Sequence, residues 1–308
     1  MNANQTTKGM FDILEVYFVL GVSICSFSLF ENPLFGITVF FVNGICQVHL
    51  SNLAHHATHR EISENILIND HISRFLITGP LLLPFESYRE AHMVHHECFD
   101  TDKDAARREY YDMSRPERND QRKFIFWIVC GFFGGMLLSS FKRYAAKIFN
   151  NKLVLASFDP KPENKSSSSK KLRGLFDVFS VIVSQAAIYY SFFVLTDSWW
   201  CYLVFWVLPM FTVMAGIVSL RACLEHADTK QPPDRYLDFS PTWWERIVFS
   251  RFEFHNHGSH HQTWKLGIPY HNQKELALAS KSLSKNVRII KLGSYTDRLL
   301  YLVRHLPC

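Results

Sequence analysis

Three short stretches of the chain carry histidines at spacings that suit metal binding. His55-His56-Ala57-Thr58-His59 sets two imidazoles four residues apart. His92-Met93-Val94-His95-His96 and His257-Gly258-Ser259-His260-His261 share an H-x-x-H-H pattern. On a helix, residues three and four apart lie on one face. His55 and His59 therefore project together, and His92, His95, His96 and His257, His260, His261 each form one imidazole patch. Together these imidazoles exceed what one tetrahedral zinc needs, so a dinuclear centre is the economical reading. His226, in Arg221-Ala222-Cys223-Leu224-Glu225-His226, directly follows the last long apolar run and would enter the same chamber. Iron, zinc or copper suits a site rich in imidazole. Iron with open positions activates dioxygen, and an apolar floor implies an apolar substrate. The two ideas together point to oxidation of an unactivated C–H bond.

Long apolar segments must bring these patches together. Hydrophobic residues make up 48% of the 308 and mean hydropathy is −0.03, so composition does not announce a membrane protein. The distribution does. Apolar blocks alternate with polar, histidine-bearing blocks, whereas a soluble enzyme spreads its apolar residues at helix or strand period. Residues 11–30 and 34–50 each approach the length that crosses the hydrocarbon, with the break Glu31-Asn32-Pro33 between them. Residues 175–195 and 199–220 form a second such pair around Thr196-Asp197-Ser198. Neither break holds Lys or Arg, which places both turns on the non-cytoplasmic side. Residues 72–85 are apolar but short and interrupted by Gly79-Pro80 and Pro84, which predicts a re-entrant or interfacial segment. Residues 124–141 have basic residues on both flanks, Arg122-Lys123 and Lys142-Arg143, and are expected to lie in or dip into the membrane. Residues 157–174 contain a Ser/Lys-rich run and are expected to be a flexible cytoplasmic loop. With two hairpins, every histidine patch falls on one side, the cytoplasmic side; a further span at 124–141 would strand His226 and His257–His261 opposite the others. The expectation is a single all-α, multi-pass domain over residues 1–308, with about four transmembrane helices and a helical cytoplasmic cap that includes an amphipathic stretch at 276–304.

The remaining composition excludes other classes. A net charge of +5 lies in short clusters flanking apolar segments, which fits loops against anionic lipid and not a nucleic-acid footprint. The seven cysteines form no C-x-x-C and read as reduced, buried thiols. The N-terminus lacks a signal-peptide cleavage site, so the first apolar run is expected to stay attached.

The three boxes, in order and between apolar hairpins, resemble the membrane-bound fatty acid desaturase/hydroxylase superfamily. Tyr88-Arg89 before the second box, Asp102-Lys103-Asp104 after it, the R-x-x-x-E-H element from Arg221 to His226, and His260-His261 followed by Ile268-Pro269-Tyr270 resemble that family's flanks. The resemblance implies two iron ions held by His55, His59, His92, His95, His96, His226, His257, His260 and His261. It implies Glu225 and Asp104 as carboxylates that orient imidazoles through their N–H groups. Asn256 is a candidate for holding a metal-bound water. The implied reaction uses O2 and two electrons from a separate donor of ferredoxin, rubredoxin or cytochrome b5 type with its reductase. No His-Pro-Gly-Gly haem string occurs that would mark a fused donor. Desaturation of a lipid acyl chain is the expected outcome; hydroxylation or ketolation of an acyl, alkane, carotenoid or small-metabolite substrate is the alternative. A membrane zinc hydrolase would leave half the boxes idle. A metal transporter would place its ligands at mid-membrane depth, whereas these lie at the ends of apolar runs. His56, His49 and His255 are weaker candidates beside the boxes, and His71, His271 and His305 read as surface or packing residues.

Overall fold

The computed structural model describes residues 4–30, 32–99, 101, 103–104, 120–135, 167–226, 235–283 and 288–307. Four long apolar helices dominate: α1 (Gln5–Phe30), α2 (Pro33–Thr58), α6 (Ser167–Thr196) and α7 (Trp199–His226). Each is long and apolar enough to cross a membrane. The fold is all-α and multi-pass, as expected. Asn32 accepts a hydrogen bond from the Leu34 amide at 2.9 Å and Pro33 opens α2, so the Asn-Pro break is a helix start. In the second hairpin the chain reverses at Asp197, whose φ is 49°.

Over their most apolar stretches α2 and α7 are 44% and 50% buried, against 22% and 17% for α1 and α6. The first pair is therefore the inner layer. The second presents Phe11, Phe18, Leu175, Phe179 and Ile182 outward, as lipid-facing surfaces require. Inside a membrane every backbone polar group needs a protein partner. Pro209 has no N–H to offer the Phe205 carbonyl four residues earlier. Asn43 Nδ2 donates to that carbonyl at 2.8 Å, and Gln47 Nε2 donates to the Trp206 carbonyl at 2.8 Å. The turns of α7 on either side widen into π-helix at Leu203–Val207 and Met210–Met214. At Gly44 a Cβ would stand 2.5 Å from that of Val213, so α2 and α7 cross there at backbone contact.

Between the hairpins, α3 (Ile66–Ile72) continues as a π-helical turn, Ser73–Thr78, and the chain bends at Gly79-Pro80 into α4 (Phe85–Glu97). Arg74 fixes this bend: its Nε donates to Asp177 Oδ1 of α6 at 2.8 Å, and Asp177 Oδ2 accepts the Glu86 amide at 2.8 Å. Helix α5 (Gln121–Phe132) has 12 residues, about 18 Å by helical rise, which is shorter than the hydrocarbon core. Phe124 is buried with Leu220 and Leu224 of α7, while Ile125, Phe126 and Val129 face outward.

After α7 the chain forms β1 (Arg235–Asp238), α8 (Trp243–Val248), α9 (His257–Thr263), α10 (Gln273–Leu283), β2 (Arg288–Lys291) and α11 (Tyr295–His305). Strands β1 and β2 pair in parallel, with Tyr236 opposite Ile289. Tyr295, Leu302 and Leu306 bury against Phe124, Leu220 and Leu224, so the C-terminal segment closes over the polar ends of α5 and α7.

Several expected boundaries move. Helix α2 runs eight residues beyond 50, to Thr58, because its polar last turns are buried and not solvated. Helix α7 likewise runs past 220 to His226. Residues 167–174 are the opening turns of α6 and not a loop, while 157–166 lie outside the described residues, as do 136–141 of the 124–141 segment. The expected amphipathic stretch at 276–304 is helical in α10 and α11, with the strand β2 between them. The small parallel ribbon was not expected.

Candidate metal centre

Each histidine box sits at one end of a helix that the fold aims at a common point. His55 and His59 end α2, His92, His95 and His96 end α4, and His226 ends α7. His257, His260 and His261 occupy the short α9. That helix is held from outside the box. Asp238 at the end of β1 accepts the Ser259 amide at 2.8 Å and the Ser259 hydroxyl at 2.5 Å. Gly258 packs so closely on Leu237 that a Cβ would stand 2.7 Å from its backbone.

The nine histidines divide into two groups. His55, His59, His92, His96 and His260 offer ligand nitrogens that all lie within 4.8 Å of one another. His95, His226, His257 and His261 do the same. The groups adjoin: the rings of His96 and His261 are 4.2 Å apart, and those of His55 and His257 are 5.1 Å apart. Each has a central nitrogen. His92 Nε2 is 2.9 Å from His59 Nε2 and 3.0 Å from His96 Nε2. His257 Nε2 is 3.0 Å from both His226 Nε2 and His261 Nε2.

These contacts test the fit to a metal. A neutral imidazole nitrogen carries one hydrogen or one lone pair, so neither central nitrogen can make a normal hydrogen bond to both neighbours. A shared cation satisfies all of them at once. With metal–nitrogen bonds of about 2.1 Å, ligand nitrogens of one ion stand about 3.0–3.4 Å apart for right-angle to tetrahedral arrangements. The contacts of 2.9 and 3.0 Å around His92 and His257 lie at the short end of that range. His260 Nε2 is also buried without a hydrogen-bond partner, as a ligand atom would be. The residues present therefore fit two metal ions, one held by each group of imidazoles.

The family described as Fatty acid desaturase matches residues 32–291. The chain belongs to the fatty acid desaturase family. No curated protein and no solved structure matches it. With its four apolar helices, this family member is an integral membrane oxidoreductase.

Around the desaturase boxes, Asp104 Oδ2 is 3.0 Å from His95 Nδ1. Glu225 accepts from the Tyr295 hydroxyl at 3.0 Å and faces Arg221 Nε at 3.6 Å, so it ties α7 to α11 in place of the imidazole contact expected of it. Asn256 donates to Gln273 at 2.5 Å and lines a pocket over the cluster. His56 turns away from both groups. Its Nδ1 is 2.9 Å from Glu61 Oε2, its Nε2 is 3.1 Å from the Phe252 carbonyl, and its ring stacks on Tyr270. His49 contacts the Ile247 carbonyl and His255 faces Glu253, so neither joins a group.

Glu61, Asp238 and Phe254 went unassigned in the sequence. Glu61 approaches His260 Nδ1 at 3.7 Å. Phe254 packs on both His55 and His257, one from each group. No local spacing marks these residues; they come from a loop, a strand end and a 3-10 turn that only the fold brings in. Burial first, and the neighbouring histidines second, hold His92, His96, His257 and His261 well below the usual imidazole range. Burial takes His260 down to about 4. All are neutral near pH 7, with lone pairs free for a metal.

Proposed function

We propose that the chain is a di-iron desaturase that introduces a double bond into a lipid acyl chain. The observation that carries this reading is the sorting of nine imidazoles into adjoining groups of five and four with central nitrogens. A –CH2–CH2– unit, O2, two electrons and two protons give –CH=CH– and two waters. Bound iron would supply the oxygen activation that removes hydrogen from an unactivated carbon. The chain's own residues do the rest. His55, His59, His92, His96 and His260 would hold one ion, and His95, His226, His257 and His261 the other. Asp104 keeps the His95 ring oriented. The buried position of both groups keeps bulk water from the reacting carbon, which enters from the membrane side between apolar helices.

Charge supports a cytoplasmic site under a cytoplasmic cap. Lys8, Arg60, Arg122 and Lys123 lie at or near the histidine-bearing ends, and the two hairpin turns carry no Lys or Arg. Electrons come from a separate one-electron carrier of ferredoxin, rubredoxin or cytochrome b5 type with its reductase. The test is comparison of lipids from cells with and without the gene, fed a deuterated fatty acid. The reading expects an acyl species that has lost two deuterium atoms from adjacent carbons. A product that instead gained an oxygen atom, or no change at all, would contradict it.

A further inference from the structure

A small pocket touches both metal groups. His55 and His260 of one group and His257 of the other line it. Glu253, Asn256 and Gln273 stand at its mouth and are part-exposed, whereas the lining histidines are buried. Gln273, at the first position of α10, is held across the mouth by two hydrogen bonds: it accepts from Asn256 Nδ2 at 2.5 Å and donates to the Tyr270 carbonyl. The cavity beneath is ≈ 10 Å³, the room that one water molecule needs. Buried Ile268 and Leu276 form its apolar wall, and among the described residues no Lys or Arg lines it.

We propose that this pocket is the small-molecule port of the centre, with Gln273 as its gate, admitting dioxygen and releasing water. Three observations carry it. Histidines of both groups line the pocket, where a diatomic molecule must arrive. Its cavity has room for a molecule the size of water and not for an acyl chain, so lipid and dioxygen take separate routes. Among its described lining residues the one charged side chain is the Glu253 carboxylate, so neutral molecules pass and small anions are disfavoured. The port deepens the di-iron reading above and rests on it.

Nitric oxide serves as the dioxygen stand-in. Its binding to the reduced, iron-loaded protein in detergent is followed by stopped-flow absorbance. Gln273→Ala should bind nitric oxide severalfold faster than wild type, and Gln273→Phe and Leu276→Phe severalfold slower, all at wild-type iron content. Azide binding to the oxidised protein adds the charge test: Glu253→Gln should speed it while leaving the nitric oxide rate as it was. Wild-type nitric oxide rates in Gln273→Ala, Gln273→Phe and Leu276→Phe would overturn the port and leave the iron reading standing. No nitric oxide signal from wild-type protein would overturn the iron reading and the port with it.

Discussion

His55 and His56 are neighbours in sequence and part company in the structure. One helical step of about 100° turns them to different faces, and only His55 meets the cluster. His56 instead spans Glu61 and the Phe252 carbonyl. The two should therefore fail differently. His96→Ala or His261→Ala should abolish O2-dependent product while the chain still inserts, because each removes a nitrogen from the cluster. His56→Ala should keep the metal, measured by mass spectrometry, yet lose about 1–3 kcal/mol of stability because Glu61 is left buried without that partner. At this scale the sequence was most legible. Eight of the nine clustered histidines are readable because i, i+3 and i+4 spacing is a local property, and His226 is readable from its place directly after the last apolar run. Glu61 and Asp238 were not readable, since a carboxylate that meets an imidazole or a backbone amide across the fold carries no local pattern. Glu225 shows the converse error: adjacency to His226 suggested a partnership, but the step along the helix points it to Tyr295.

The four long helices and their two breaks followed from hydropathy and from Asn32-Pro33. Their ends did not, because hydropathy falls where polar residues turn inward. The last turns of α2 carry Asn52, His55 and His56, all buried, so the helix runs on where its apolar run stops. The β1–β2 ribbon was illegible for another reason: two four-residue strands about 50 positions apart give no period to detect. Yet the ribbon sets the third box. Asp238 ends β1 and anchors α9 through Ser259, while β2 fixes β1 from the C-terminal side. Asp238→Ala should cost about 1–3 kcal/mol through the buried donors it strands, and should loosen metal binding without removing any histidine. A thermal melt and metal content measured on the same preparation check both effects. A variant with wild-type melting and wild-type metal content would show that α9 needs no such anchor.

Among the described residues, the two hairpins bring the ends of α2 and α7 and the start of α6 together, where α3 and α4 also return. The histidine-bearing end should face the cytoplasm. Single cysteines placed at Ser198, in the second hairpin turn, and at Ser282, on the exposed side of α10, should react with a membrane-impermeant thiol reagent from opposite sides of intact cells and inverted vesicles. Labelling of both from the outside would overturn the orientation. The central claim is that the boxes assemble one centre for two ions, and metal analysis of purified, active protein tests it most directly. The two adjoining imidazole groups predict two irons per chain. One zinc per chain with no iron would contradict that prediction.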